Sequence, residues 1–185
     1  MAEKRTGMNR FAPDALIRRL SGSALLLPVL LTVVWVGTGC DGAATATLTE
    51  PSTDRARVVF ADHAFDVEIA DDPDERFRGL SDRDHIAPDG GMLFVFPKNQ
   101  RMRFVMRDCL VPIDIAFLDT GGRVIATHAM AVEPYGRPDE ALVKYDSRWP
   151  ARFALELAGG RIAEIGLAEG DRLAFDADAL LENAR

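Results

Sequence analysis

Three short apolar runs, separated by turn residues, follow one another near the middle of the chain. They cover residues 91–96, 103–106 and 111–118, and Pro97 ends the first. Runs of this length that are rich in Val, Ile and Phe are typical of buried strands. The third run contains Asp114, and a carboxylate in a buried strand needs hydrogen-bond donors or a basic partner. Asp114 is therefore the first chemical feature of this sequence.

Alternating apolar residues predict five further strands. These cover residues 57–61, 64–69, 123–130, 152–157 and 172–175. Within 152–157, we expect Phe153, Leu155 and Leu157 to face inward. Short helices are predicted at 73–78 and 161–165, and residues 131–150 form a long loop. Eight strands with small helices predict a mainly β fold, a single antiparallel β-sandwich or barrel with short helical inserts.

The first 40 residues have the layout of a secretory signal. Basic residues precede a 13-residue apolar run at 24–36, which is shorter than the roughly 20 residues of a membrane-spanning helix. The run ends in Thr38-Gly39-Cys40, which resembles a bacterial lipobox. We expect cleavage before Cys40 and lipidation of its thiol. Ordinary cleaved secretion and an uncleaved anchor remain alternatives.

Composition divides the chain into four parts. Residues 1–40 are the lipoprotein-type signal, and residues 41–55 form an Ala- and Thr-rich flexible linker with little to bury. Residues 56–176 form a single globular domain, and residues 177–185 are a C-terminal tail. The domain would then face the periplasm or the exterior, on a membrane that the sequence does not identify.

Charge and cysteine content limit the functions that this domain can have. After residue 40 there are 17 Lys and Arg against 27 Asp and Glu, a net charge of −10. Because such a surface repels phosphate backbones, nucleic-acid binding is excluded from the expected functions. With Cys40 lipidated, Cys109 has no disulfide partner, and an unpaired thiol of this kind is usually buried and unreactive.

Several segments together resemble the domain of unknown function 192 family. They are Arg76-Phe77-Arg78-Gly79-Leu80 with Arg83, Gly91-Met92-Leu93-Phe94-Val95-Phe96, Phe104 to Met106 followed by Pro112, Asp114 and Asp119, and Ala154-Leu155-Glu156-Leu157 with Gly166 and Gly170-Asp171. The resemblance spans roughly residues 56–175. It implies a compact jelly-roll-like β fold that is often exported, with no established activity. The chain departs from the family pattern at Val105 and at Asp108-Cys109.

One functional hypothesis is a non-catalytic binding or interaction module. The predicted loop carries Tyr135, Tyr145 and Trp149, and aromatic loops on β-sandwiches often contact ligands. The ligand could be a small molecule, a glycan or a protein. The alternative for these aromatics is that they only fix the loop to the sandwich.

A second hypothesis is a hydrolase-type enzyme with a cleft at Asp114 and His128. Arg107 or Glu133 would assist in that cleft, provided the side chains converge on an open pocket. The sequence favours a structural explanation for Asp114, a buried ion pair. Its candidate partners are the arginines Arg76, Arg103 and Arg107.

A third hypothesis is a Cu(I) site. Met92, Met106 and Met130 lie within a short stretch that also contains His128, and thioether and imidazole groups are ligands for soft Cu(I). Met102 and Cys109 fall in the same stretch. The alternative is that these methionines fill the core. Apart from this possibility, the sequence predicts no cofactor.

Overall fold

The computed structural model describes residues 54–185 of the chain. The predicted signal, the lipidation site at Cys40 and nearly all of the predicted linker lie outside these residues. No helix in the described part of the chain is long and apolar enough to span a membrane.

The domain is mainly β, as the sequence predicts. The strands are β1 (Arg55–Phe60), β2 (His63–Ala70), β3 (Met92–Gln100), β4 (Arg103–Phe104), β5 (Ile113–Leu118), β6 (Val124–Met130), β7 (Tyr145–Asp146) and β8 (Ala151–Ala158). The helices are α1 (Pro73–Arg78), α2 (Arg161–Ile165) and α3 (Ala177–Asn183), with a 3-10 turn at Asp139–Ala141.

Six strands form one sheet in the order β1-β2-β3-β8-β5-β6, while β4 and β7 pair separately. The sheet is mixed and not wholly antiparallel as predicted, because β2 and β3 run parallel. The connection through α1 and residues 79–91 explains this, since parallel neighbours require a crossover and not a tight turn. The other pairs in this sheet are antiparallel.

The predicted strand at 172–175 makes isolated bridges and no continuous ladder. Ala174 bridges Val59 of β1, and Arg172 bridges Arg123, the residue before β6. The Ala174 and Val59 backbones exchange two hydrogen bonds of 2.8 and 2.9 Å. Because these contacts do not form a ladder, the sheet is not a closed barrel. The predicted loop at 131–150 instead contains a strand, β7.

Both faces of the sheet are covered, and each has its own apolar cluster. The α1 face carries Met92, Phe94, Ile113, Ile115, Phe117 and Ala154, covered by parts of residues 80–86 and 102–109. The α2 face carries Leu93, Val95, Ala116, Leu118, Phe153, Leu155 and Leu157, covered by Ile162 of α2, Leu167, Leu173 and side chains of α3. The predicted C-terminal tail thus forms a helix that packs on the domain. Two-sided burial means that alternation along a strand no longer separates buried from exposed positions.

Gly91 allows β3 to begin close to β8. Its φ is 151°, and a Cβ there would lie 2.2 Å from the carbonyl oxygen of Glu156. Any other residue at this position would collide with the backbone of β8.

Candidate functional site

Glu156 lies in the middle of the sheet on β8. It is opposite Met92 of β3 and Ile115 of β5, so its side chain points to the α1 face between two apolar residues. The residue is only 4% exposed. The sequence pattern predicts that Phe153, Leu155 and Leu157 face inward, and it assigns no role to Glu156. The only sequence feature that could have identified it was its place in the segment Ala154 to Leu157 of the family resemblance.

The Glu156 carboxyl has no partner that would stabilise its charge. Burial raises its pKa from an ordinary value of 4.5 to about 8, and neither a hydrogen bond nor a charged group of the described residues contributes to this shift. Desolvation disfavours the ionised form of a carboxyl group. At neutral pH this side chain is therefore mainly a neutral acid, which can donate a hydrogen bond.

A cavity of about 380 Å³ opens onto Glu156 from the α1 face. We call this cavity the Glu156 pocket. Its phenylalanines are Phe77, Phe94, Phe96 and Phe104, and its arginines are Arg76, Arg78, Arg103 and Arg107. Glu156 and Cys109 are its buried titratable groups, and Glu156 is the one carboxyl group among the residues that line it. The pocket therefore combines guanidinium groups, aromatic rings and a buried neutral acid.

The helix α1 places three of these side chains over the pocket. Asp72 caps the helix by accepting hydrogen bonds from the backbone N–H groups of Asp74 and Glu75, both at 2.9 Å. Pro73 occupies the first turn, where its missing N–H is not needed. Gly79 ends the helix with φ of 52°, and a Cβ at this position would lie 3.3 Å from the Phe94 ring. This short helix presents Arg76, Phe77 and Arg78 to the pocket.

Phe104 holds the aromatic side of the pocket together. Its ring meets Phe94 edge to face at 4.9 Å and Phe117 at 5.5 Å between centroids. A third contact joins it to Phe96 at 6.4 Å. Such edge-to-face packing fixes ring positions, so the apolar surface of the pocket is preformed.

Two of the four arginines, Arg76 and Arg107, are held by the protein itself. Arg107 forms a two-pronged ion pair with Asp139 and stacks on Phe77 at 4.0 Å. Its guanidinium lowers the pKa of the Asp139 carboxyl through a hydrogen bond. Arg76 donates to the carbonyl of Val95 at 2.9 Å.

The other two arginines are at the exposed end of the pocket. Arg103 lies 3.5 Å from Asp146, a loose and exposed ion pair. Arg78 forms no ion pair with any residue in the described part of the chain. Arg78 and Arg103 thus remain available to an anion that enters the pocket.

Cys109 is buried, as the sequence predicts, and its thiol faces the same pocket. Burial is the largest cause that raises its pKa to about 12, and the neighbouring Glu156 adds to the shift. The thiol donates a weak hydrogen bond of 3.4 Å to the carbonyl of Arg107. Because a thiol with this pKa stays protonated at neutral pH, Cys109 is a poor nucleophile.

Asp114 has a structural role on the opposite face. Its carboxylate accepts a hydrogen bond of 2.8 Å from the backbone N–H of Ile162, in the first turn of α2. Gly160 precedes this helix and has no side chain that could cap it. Asp114 therefore replaces the missing cap from a distant strand. The predicted ion pair with an arginine is wrong, because a backbone donor satisfies the carboxylate.

The predicted cleft between Asp114 and His128 does not form. His128 pairs with Ile115 and Asp114 pairs with Ala129, so the two side chains point to opposite faces of the sheet. The His128 ring lies between Phe117 and Tyr145, and its Nε2 is 2.8 Å from the carbonyl oxygen of Asp146.

The two other side chains of that hypothesis are elsewhere. Arg107 lines the Glu156 pocket on the face that Asp114 does not reach. Glu133 pairs with Arg137 at 2.9 Å and accepts a hydrogen bond from Val143.

The three loop aromatics have different environments. Tyr145 is half-buried on β7 and packs against His128. Tyr135 is exposed, and its hydroxyl donates to Asp82 at 2.9 Å. Trp149 is 63% exposed. Tyr145 thus fixes the loop to the domain, whereas Tyr135 and Trp149 are available for contacts.

The methionines proposed as copper ligands are all buried in the cluster on the α1 face. Met92, Met106 and Met130 pack there with Met102 and Cys109. Between residues 54 and 185, no group of three His, Cys, Asp or Glu side chains could hold a metal ion. A thioether site for Cu(I) stays a prediction, and core packing accounts for the methionines.

Solved structures show what this fold resembles. A protein from Sinorhizobium meliloti 1021, described as a candidate transcription regulator, is 34% identical and superposes with a TM-score of 0.58. The match covers 66% of this chain and 93% of that protein. A protein of unknown function from Novosphingobium aromaticivorans DSM 12444 is 26% identical with a TM-score of 0.58, over 75% of this chain and 99% of that one. No curated protein matches the chain.

The sequence profile of the DUF192 family, described as "Uncharacterized ACR", matches residues 56–175. The chain belongs to this family of domains of unknown function.

Proposed function

We propose that this DUF192 domain is a non-catalytic binding module that holds a small, partly apolar organic anion in the Glu156 pocket. The observation that carries the proposal is the pocket itself, a preformed cavity with phenylalanine sides, arginines at its exposed end and a buried carboxyl that has no protein partner. Mostly apolar cavities with a few convergent polar groups are typical ligand sites, and about 380 Å³ suits a small ligand.

Charge supports an anionic ligand. Residues 54–185 contain 17 Lys and Arg against 25 Asp and Glu, a net charge of −8, yet four arginines line this one cavity. Such a local concentration of positive charge in a low-dielectric cleft attracts anions. Arg78 and Arg103 are the arginines free to meet the anion, because Arg76 and Arg107 are engaged with the protein.

The pocket offers little for catalysis. Cys109, the thiol that lines it, is protonated at neutral pH, and no histidine or second carboxyl lines it within the described range. A general acid without a nucleophile or base to work with can hold a ligand but lacks the second group that most hydrolytic reactions use.

A DNA-binding role does not follow from the Sinorhizobium neighbour. That description belongs to the neighbour alone. The acidic excess over residues 54–185 disfavours contact with a phosphate backbone. The arginines of this chain line a concave pocket, and a duplex does not enter a cavity of this size.

The anion proposal can be tested by calorimetric titration of the purified full chain with benzoate and with neutral benzamide. We expect benzoate to bind and benzamide to bind at least tenfold more weakly, because charge-assisted hydrogen bonds to arginine need the carboxylate. Replacing both available arginines (Arg78→Gln with Arg103→Gln) should weaken benzoate binding at least tenfold.

A matched control removes an arginine that does not line the pocket. Arg148→Gln breaks only an exposed ion pair with Glu169 and should leave benzoate binding unchanged. Equal binding of benzoate and benzamide, or equal losses in Arg148→Gln and the double variant, would contradict the proposal.

We further propose that this domain lies outside the cytoplasm and is tethered by a lipid on Cys40. Its support is the signal layout and the lipobox-like Thr38-Gly39-Cys40. The test is metabolic labelling with an alkyne fatty acid in a bacterial host, followed by mass spectrometry of the mature N-terminus. We expect label on the wild-type chain and none on Cys40→Ser. Label that persists in Cys40→Ser, or a wild-type chain that keeps residues 1–39, would refute lipid anchoring at Cys40.

A further inference from the structure

We infer, resting on the proposed function, that Glu156 selects the ligand by donating a hydrogen bond from its protonated carboxyl to the buried end of the anion. The preferred ligand is then a flat acid that carries its negative group at one end and an uncharged hydrogen-bond acceptor at the other. Aromatic carboxylates with a carbonyl or ether oxygen opposite the acid group belong to this class.

Glu156 is buried at a position where no neighbouring side chain within residues 54–185 forms a hydrogen bond with it. The side chain is nearly inaccessible, and its neighbours across the strands, Met92 and Ile115, offer no hydrogen bond. A polar group buried in this way without a partner destabilises a protein by an amount comparable to a lost hydrogen bond. The side chain lines a cavity, so a ligand can supply the missing partner.

The charged and titratable groups that line the pocket decide what kind of ligand fits. Besides Glu156, they are Arg76 and Arg78 from α1, Arg103 from β4, and Arg107 with Cys109 from the segment after β4. Four positive charges at the pocket disfavour a cationic ligand group, and the Cys109 thiol is neutral. The buried end of the ligand is therefore an uncharged acceptor.

The shape of the pocket favours a flat ligand body. Phe94 and Phe104 meet edge to face, and the guanidinium groups of Arg76 and Arg107 stack on Phe96 and Phe77. These planar groups give a ligand ring apolar surface on which to pack.

Protonation sets the direction of the pH dependence. The pKa of Glu156 is about 8, and the hydrogen bond to the ligand needs the protonated form. Affinity for a ligand that accepts this hydrogen bond should therefore be constant below about pH 7 and should fall by roughly tenfold in total as the pH rises above 8. Arginine and a benzoate carboxylate keep their charges over this range, so the decrease reports Glu156.

The experiment compares 4-methoxybenzoate with 4-ethylbenzoate, which has nearly the same shape but lacks the ether oxygen. We expect the full wild-type chain to bind the methoxy compound roughly tenfold more tightly at pH 6.5, the usual order for one buried hydrogen bond. At pH 9.5 this preference should disappear, because the ionised carboxylate has no proton to donate.

Two variants of Glu156 test whether its hydrogen bond, and not a change in folding, causes the ligand preference. Glu156→Gln keeps a donor at every pH, so it should prefer the methoxy compound equally at pH 6.5 and 9.5. Glu156→Met removes the donor, and it should bind both compounds equally at either pH. Thermal unfolding in the presence and absence of benzoate verifies that each variant is folded.

The outcomes distinguish this inference from the function on which it rests. If wild type binds both compounds with no preference and no pH dependence, Glu156 does not select the ligand, while anion binding stands. If neither compound nor benzoate binds, the proposed function itself fails. A preference that survives in Glu156→Met would also overturn the inference.

Discussion

The two faces of the sheet treat a buried carboxyl group in opposite ways. Asp114 and Glu156 lie on the neighbouring strands β5 and β8, where Asp114 is opposite Leu157 and Glu156 is opposite Ile115. These two cross-strand pairs are neighbours, and neighbouring pairs point to opposite faces of a sheet. The Asp114 side chain therefore points to the α2 face and the Glu156 side chain to the α1 face. On the α2 face the carboxylate meets the N–H of Ile162, whereas on the α1 face the carboxyl meets a cavity.

This difference separates a structural acid from a candidate functional one. The Asp114 carboxylate has a partner within the chain, and that contact joins β5 to α2. Glu156 is buried without such a partner, which destabilises the folded state wherever the unfolded chain would ionise it. Sites of this kind are retained when a function outweighs the loss of stability.

The largest expected effect tests whether Glu156 is truly unpartnered. Its folded pKa, about 8, lies above the ordinary 4.5 of the unfolded chain. Its contribution to stability is therefore fully present below pH 4.5 and is lost as the pH rises to about 8. Between pH 4 and pH 9, wild type should lose on the order of 4 kcal/mol of unfolding free energy that Glu156→Gln does not lose.

Urea unfolding of both proteins across this pH range measures the difference, since the other titrating groups are common to both. Parallel curves for wild type and Glu156→Gln would show that Glu156 is solvated or paired. The contrast between the two faces would then disappear.

A smaller effect is expected on the α2 face. Asp114→Ala should lower the unfolding free energy by about 3 kcal/mol, because the N–H of Ile162 loses a charged acceptor in a buried site. Asp114→Asn keeps an acceptor oxygen and should cost about 1 kcal/mol. Denaturant unfolding at pH 7 measures both changes. If Asp114→Ala is as stable as wild type, Asp114 has no structural role.

The smallest effect concerns the exposed end of the pocket. Phe77 is 67% exposed, so Phe77→Ala should change the unfolding free energy by no more than about 0.5 kcal/mol. The same change removes apolar surface from the pocket and should weaken benzoate binding severalfold. Thermal unfolding measures the change in stability, and calorimetric titration of the same preparation measures the change in benzoate binding. Unchanged binding would indicate that the ligand does not reach this side of the pocket.

The sequence predicted the strands well and the environment of their side chains less well. Five of the six strands of the sheet were foreseen nearly to their ends, as was β4, because short apolar runs bounded by Pro and Gly are local signals. The parallel pairing of β2 and β3 and the isolated bridges of residues 172–174 depend on distant contacts, which a local pattern does not record. The two-residue strand β7 is too short to leave a pattern.

The candidate site was missed for a related reason. Alternation in β8 assigned Phe153, Leu155 and Leu157 to the core, and a sheet covered on one side would have left Glu156 in water. Because both faces of the sheet are covered, Glu156 is buried as well as Phe153, Leu155 and Leu157. For Asp114 the sequence favours an ion pair with an arginine, but its partner is a backbone N–H 48 residues away, and no side-chain pattern reveals such a partner.

The bridges made by residues 172–174 also affect how copies of this domain meet each other. Outer strands of a sheet expose unpaired N–H and C=O groups that can recruit a strand from another molecule and start aggregation. Here β1 and β6 are the outer strands. Ala174 exchanges backbone hydrogen bonds with Val59 of β1, and Val124 of β6 accepts one from the N–H of Gly170 and donates one to the carbonyl of Asp171. The short segment at 170–174 thereby occupies hydrogen-bonding groups on both outer strands. Fewer groups remain for a strand of another copy to pair with, which disfavours aggregation.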